Sequence, residues 1–177
     1  MNNMSISAGL VILYRKGRFT LLDSGCYRFW DDDNRCFQWV KLLDNKSGRE
    51  LMFTNTHFSI NSGDAIKGNK KRCGEAVELL DFWQQNVGDT ALFATGDYNC
   101  KMGTEPHAEI LQKSIYQPSC LIAETADKDS WLDFCYVNTK CMNVKKYEYL
   151  DRDYKMSDGN VITMSDHYPV LTYAVYK

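Results

Sequence analysis

No stretch of this 177-residue chain approaches the roughly 18 consecutive apolar residues needed to span a bilayer, so no membrane-crossing helix is expected. The opening Met-Asn-Asn-Met-Ser-Ile-Ser is polar and lacks a basic region ahead of an apolar one, which argues against a secretory leader. No Cys-x-x-Cys pair occurs among the seven cysteines, Cys26, Cys36, Cys73, Cys100, Cys120, Cys135 and Cys141. An odd, scattered set argues against a disulfide framework and for reduced, mostly buried thiols, and hence for a cytoplasmic location. Excess charge of one sign is also missing: 21 Lys+Arg stand against 23 Asp+Glu, so charge points to neither nucleic acid nor membrane. A nucleic-acid substrate stays open, because a hydrolase needs only a local positive site. Repeats, low-complexity tracts and linkers are absent, and one domain over residues 1–177 is expected.

What is present is strand-rich. Gly9–Tyr14 and Phe19–Asp23 flank Arg15-Lys16-Gly17-Arg18, which reads as a hairpin turn. Cys36–Leu43 and Glu50–Thr56 flank Asp44-Asn45-Lys46-Ser47-Gly48, a second turn signal. Asp31-Asp32-Asp33-Asn34 reads as a solvated loop. Residues 70–87 change period: Cys73, Ala76, Val77, Leu80, Trp83 and Val87 recur at helical spacing, and Gly88 closes the helix. Ala91–Ala94 reads as a buried strand. Thr104, Glu105 and Pro106 start a helix that runs to about Lys113. Leu132–Val137, Asn143–Tyr149 and Val170–Tyr176 are strands. Many strands with two helices imply two stacked sheets with helices on their outer faces.

Four segments end apolar strands with unpaired polar groups: Thr54-Asn55-Thr56-His57, Gly96-Asp97-Tyr98-Asn99, Leu132-Asp133-Phe134, and Ser165-Asp166-His167-Tyr168-Pro169. Strand ends are where a rigid scaffold presents a site. Residues two apart in an extended chain share a face, which pairs Asp97 with Asn99 and Asn55 with His57. Taken singly, each segment has a plain structural reading. A lone histidine is more often a surface or satisfied core residue than a site residue, and Asp-x-Asn after glycine is a common turn. Asp133 is harder to dismiss, because a carboxylate in an apolar strand is costly without a partner.

In order, these segments resemble the endonuclease/exonuclease/phosphatase superfamily. LVILYRKGRFTLLDSG resembles the family's strand–turn–strand, and RCFQWVKLLDNKSGRELMFTNTHFS its hairpin into an Asn-Thr-His signature. TGDYN, LDFCYV and SDHYPV resemble its three remaining signatures. The resemblance implies an α+β fold, a four-layer α/β-sandwich of two mainly antiparallel sheets flanked by helices. It implies metal-dependent hydrolysis of a phosphoester bond, most simply a phosphodiester, with Mg2+ or Mn2+ as cofactor. By the same resemblance Asp97 would orient or deprotonate the attacking water. Asn99 would hydrogen-bond a phosphoryl oxygen, and His167, held by Asp133, would contact the scissile phosphate. Asp166 would bind or brace the metal, and His57 would stabilise the transition state or protonate the leaving oxygen. Arg35 would bind substrate phosphate or anchor site carboxylates, whereas Arg72 reads as a helix-surface charge. The substrate is left open between nucleic acid, a lipid head group and a sugar phosphate.

The sequence departs from the family pattern at its start. Relatives open with two strands that carry an active-site Asn and a metal-binding Glu. Here no Glu precedes Glu50, and Ala8 stands where many relatives place an acidic partner for the Asn-Thr-His imidazole. The expectation is a domain incomplete at its N-terminus, with weak or no turnover by this chain. Three accounts compete: a truncated form of an active enzyme, an inactive domain serving as a binding module, and an enzyme using substitute ligands such as Asp31–Asp33.

Overall fold

The computed structural model describes residues 9–30, 34–60, 65–112, 114–126, 132–150, 154–162 and 165–177. Ala8, Asp31–Asp33 and Lys113 lie outside the described residues. Two sheets carry the fold. The larger has six strands in the order β1 (Phe19–Arg28), β2 (Cys36–Asp44), β3 (Arg49–His57), β4 (Ala91–Asp97), β7 (Asp133–Asn138), β5 (Tyr116–Pro118). The smaller joins β11 (Val170–Tyr176), β8 (Met142–Tyr149) and β6 (Thr125–Ala126). A two-stranded ribbon pairs β9 (Tyr154–Lys155) with β10 (Val161–Ile162). Helices are α1 (Ala65–Asn86), α2 (Glu105–Leu111) and the short α3 (Ser119–Ile122). This is the expected α+β sandwich. In the larger sheet only β3 and β4 pair in parallel.

The β2–β3 hairpin forms as its turn chemistry predicts. The Lys46 N–H and the Ser47 hydroxyl both donate to the Asp44 carboxylate, at 3.0 and 2.8 Å, which is how an Asp closes a turn on its own side chain. Strand β4 is almost continuously apolar because it lies inside the sheet, with β3 on one side and β7 on the other, and helix and second sheet on its faces.

The two cores lie on opposite faces of the large sheet. On one face Trp83, Leu79, Leu80 and Ala76 of α1 pack with Phe37, Met52, Leu92, Phe134 and Tyr136. On the other, Leu42, Leu51, Ala91 and Val137 meet Met142 and Val144 of β8.

Three expectations are corrected. The segment 9–15 and β1 are not a hairpin: β1 pairs with β2 from Phe19↔Asp44 to Arg28↔Cys36. The N–H groups of Arg18 and Phe19 both donate to the Arg15 carbonyl at 2.9 Å. That turn sends the chain from one layer to the other instead of folding it back. Val77 is not on the buried stripe of α1, being 39% exposed; the helix begins earlier than expected and turns Ala76, Leu79, Leu80 and Trp83 inward. The same stripe carries Arg72, which is 4% exposed and not a surface charge. Val87 is buried and Gly88 adopts φ 54°, the left-handed conformation that ends a helix. The strand β5 and helix α3 were not expected from periodicity.

Candidate active site

The register of three central strands builds the site. β3 and β4 pair in parallel with His57 opposite Asp97, and β4 and β7 pair antiparallel with Asp97 opposite Asp133. The three side chains therefore form one row across the sheet, each a strand spacing of about 4.8 Å from the next. His167 reaches the row from the segment that leads into β11. Its Nδ1 lies 2.7 Å from Asp133 Oδ2, and its Nε2 lies 3.9 Å from Asp97 Oδ2. His57 Nε2 is 3.4 Å from the same Asp97 oxygen. Asp97 thus stands between two imidazoles, and Asp133 orients one of them.

Local structure keeps the row rigid. The Phe58 N–H donates to the Asp97 carbonyl and the Tyr98 N–H to the Leu132 carbonyl, at 2.9 and 2.8 Å. Asn99 is held in a left-handed conformation, φ 49°. Its backbone N–H donates to Asp97 Oδ1 and its Nδ2 to the Phe58 carbonyl, both at 2.8 Å. Asparagine tolerates this conformation better than most residues. Beside it, a Cβ on Gly96 would stand 2.4 Å from the Thr56 carbonyl oxygen, so only glycine lets β3 and β4 approach closely there. Asn55 faces the same side as His57; it accepts from the Thr95 hydroxyl at 3.3 Å and donates to the Val11 carbonyl at 3.2 Å.

The two histidines are tuned in opposite directions. Burial first, then the nearby Arg35 guanidinium and His167, hold His57 below its ordinary value against the pull of Asp97. The hydrogen bond to Asp133 raises His167 above its ordinary value. Burial pushes the Asp133 carboxyl up, opposed by that same bond from His167. An opposite charge favours the charged imidazole and a low-dielectric setting disfavours it.

The structure brings together His57, Asp97, Asn99, Asp133 and His167. Arg35 stands close enough to act electrostatically on His57. Asp166 is exposed; the charge of its carboxylate acts on Asp133 and His167. Oxygen or nitrogen atoms of Asp97, Asp133 and His167 lie within 4.8 Å of one another, and Asp166 is not part of that group. Sequence reading missed the residues behind the site. Ser59 donates its N–H and hydroxyl to the buried Glu75 carboxylate at 2.9 and 2.6 Å, and Arg72 donates to the Ser59 carbonyl at 3.2 Å. These bonds pin the chain just after His57. The signal was available, since 72, 75, 76 and 79 share one face of a helix. The third histidine, His107, is a core residue bonded to the Tyr136 hydroxyl and the Cys100 carbonyl.

A cavity of about 730 Å3 opens from the row, running between the large sheet, the segment 9–15 and β11. No described helix is long and apolar enough to cross a membrane.

This architecture is the fold of the endonuclease/exonuclease/phosphatase proteins. One solved structure with it is the mannosyl-6-phosphatase of Bacteroides thetaiotaomicron, at TM-score 0.77 and 19% identity over 92% of this chain and 69% of that one. An endonuclease/exonuclease/phosphatase protein of Bacteroides vulgatus matches at TM-score 0.77 and 21% identity, over 93% of this chain and 69% of that one. The D. rerio TDP2 complexed with single-strand DNA product matches at TM-score 0.69 and 13% identity, over 91% and 70%. No protein-family model matches the sequence, and no curated protein does so at a significant level.

Proposed function

We propose that this site handles phosphoester groups and hydrolyses them with a divalent metal ion. The observation that carries the reading is the row His57–Asp97–Asp133 with His167 bonded to Asp133 at its rim. Two carboxylates within reach of one imidazole, beside a guanidinium, suit an anionic oxygen ester and an attacking water. Magnesium and manganese fit the donor set: magnesium takes one or two carboxylates and keeps several waters. Asp97 and Asp133 would hold it, with Asp166 bracing it from the rim. Bound there, the ion would neutralise charge on a phosphoryl oxygen.

Asp97 positions and deprotonates the attacking water. His167, raised toward its charged form, donates from Nε2 to the phosphoryl group while Asp133 holds its Nδ1. His57, neutral in its partly buried place, donates a hydrogen bond toward the leaving oxygen. The Asn99 amide has two N–H donors and the Phe58 carbonyl uses one, which leaves the other for the phosphoryl oxygen. Arg35 supplies positive charge at the same rim.

The structural neighbours include a mannosyl-6-phosphatase and a protein complexed with single-strand DNA product, so the substrate class stays between sugar phosphate, nucleic acid and lipid head group. A second reading is a noncatalytic phosphate- or protein-binding module, favoured by the large apolar cavity beside the row.

Turnover of bis-p-nitrophenyl phosphate with magnesium or manganese, compared with chelator and with Asp97→Ala, tests the proposal. Chelator-sensitive turnover lost in the variant supports hydrolysis. Phosphate binding without turnover selects the module, and neither binding nor turnover sinks both.

A further inference from the structure

The row that carries the site does not stop at His57. Arg28 pairs with Cys36, and Phe37 with Thr56, so Cys36 stands beside His57 and Arg28 beside Cys36. One line of side chains therefore runs Arg28–Cys36–His57–Asp97–Asp133 over β1, β2, β3, β4 and β7. The next line on the same face runs Cys26–Gln38–Asn55–Thr95–Cys135. From β3 onward both lines border the cavity, whereas Arg28, Cys36, Cys26 and Gln38 lie outside it.

That end of the face is an open, polar shelf. Arg28, Cys26 and Ser24 of β1 are exposed, and Cys36 and Gln38 of β2 are half-buried. None of these five side chains is acidic. The carboxylates of Glu78 and Asp81 act on Tyr27, which points the other way and stacks on Phe37. Arg28 and Arg35 both act by charge on Cys36, and Arg35 acts on His57 as well. Two positive charges therefore bear on the strand next to His57, on the side away from Asp97 and Asp133. The planar fork of a guanidinium suits phosphate oxygens.

We propose that this shelf is a leaving-group subsite, and that the leaving group it takes carries a second phosphate, bound by Arg28. The inference rests on the proposed phosphoester site and narrows its substrate. His57 faces the leaving oxygen in that reading, so the departing group extends past His57 over β2 and β1. Arg28 lies two strand spacings from His57, about 10 Å along the row. A phosphate one ester unit beyond the scissile bond meets the long arginine side chain over that span. Gln38 lies between, with amide donors and an acceptor for hydroxyls or ring atoms of the bridging unit. A fatty-acyl leaving group would meet a guanidinium, an amide and a hydroxyl on the shelf in place of apolar surface.

The experiment uses the whole chain with magnesium and two sets of matched ligands. Thymidylyl-thymidine is compared with its 5′- and 3′-phosphorylated forms, and glycerophosphoglycerol with its terminal phosphate ester. Calorimetry gives dissociation constants, or KM is read where a ligand is turned over. The added phosphate should tighten binding about tenfold, the scale of a charge-assisted bond to arginine. Arg28→Gln should cut that gain to about twofold or less, and Arg28→Lys should keep part of it, with melting temperatures confirming that both variants fold. A gain in the glycerol set, alone or with the other, supports the subsite and assigns it to phosphate. A gain in the thymidine set only supports it and adds recognition of the nucleoside. No gain while the parent ligands bind, or a gain undiminished in Arg28→Gln, overturns the subsite and leaves the phosphoester site standing. Absence of binding by every ligand overturns both. Turnover of bis-p-nitrophenyl phosphate, which has no second phosphate, succeeds or fails independently of the subsite.

Discussion

The two faces of the large sheet are apolar to a similar degree, yet they are finished differently. On the helix face, Trp83, Tyr136, Phe37 and Leu79 are fully enclosed, and the polar atoms among them find partners: the Trp83 indole donates to the Thr54 hydroxyl at 3.3 Å, and the Tyr116 hydroxyl donates to the Trp83 carbonyl at 3.0 Å. On the other face, β8 closes only one end of the sheet, and beyond it lie the cavity, β11 and the segment 9–15, which joins no sheet among the described residues. The row of His57, Asp97 and Asp133 sits where the closed and open parts meet. Hence the polar site can be rigid while the apolar surface beside it is unfinished. His57, Asp97 and Asp133 are fixed by strand register, which the open groove does not need to support.

That contrast is broken most strongly from the closed side. Trp83→Ala should lower unfolding stability by about 4 kcal/mol, the usual scale for deleting a buried aromatic and leaving a cavity. A urea denaturation midpoint that hardly moves would mean the helix face is less tightly packed than its burial implies.

Acid should loosen the same side next. Burial holds His107 at a pKa of about 4, against 6.5 for an unperturbed histidine, so the unfolded chain takes up a proton that the folded one refuses. Stability from the neutral ring is complete above about pH 6.5 and drains away as pH falls toward 4. It amounts to on the order of 3 kcal/mol. Melting temperature against pH should fall less steeply in this window for His107→Gln. An equal slope in both proteins would assign the acid limb to other groups.

At the boundary, Asp133→Ala should uncouple function from fold. Hydrolysis, where present, should fall about hundredfold or more, with stability changed by only about 1 kcal/mol. The His167 pKa, followed by NMR, should drop, because the bond to Asp133 is the largest cause of its elevation. An unmoved His167 titration would show that the pair does not persist in solution, whatever happens to the rate.

The open side should respond least. Leu13→Ser removes an apolar side chain of much the same character, but one that is 86% exposed. The expected change is within about 0.5 kcal/mol, with better solubility at high concentration. A loss of several kcal/mol would show that Leu13 is covered in solution by something other than water.

Much of the site was legible because it is written in short, contiguous signatures at strand ends. Residues that share a strand face, such as Asn55 with His57, are related by a period of two that any reader of the sequence can apply. Arg72 and Val77 were misjudged for a related reason. The period of a helix was recognised, but its phase depends on which stripe meets the sheet, and a guanidinium on that stripe looks like a surface charge until its acceptor, the Ser59 carbonyl, is in place. The separation of segment 9–15 from β1 could not be foreseen either, because a turn signal says that the chain bends, not which layer it enters.

By itself the sequence determined the strand-rich α+β composition, the helix ended by Gly88, the β2–β3 hairpin closed by Asp44, and the five polar residues His57, Asp97, Asn99, Asp133 and His167. The elements follow from local chemistry, side-chain periodicity and turn-forming groups, whereas the five polar residues were singled out by the resemblance of their ordered strand-end segments to a known family. Tertiary structure alone decided that His57, Asp97 and Asp133 stand in one row, that Asp97 lies between two imidazoles tuned in opposite directions, and that a charge-free strand edge borders an apolar groove. Those facts depend on the register between strands up to 76 residues apart in the chain, as from His57 to Asp133. Register is set by the packing of whole sheet faces against their partners, and no local window of sequence contains that information.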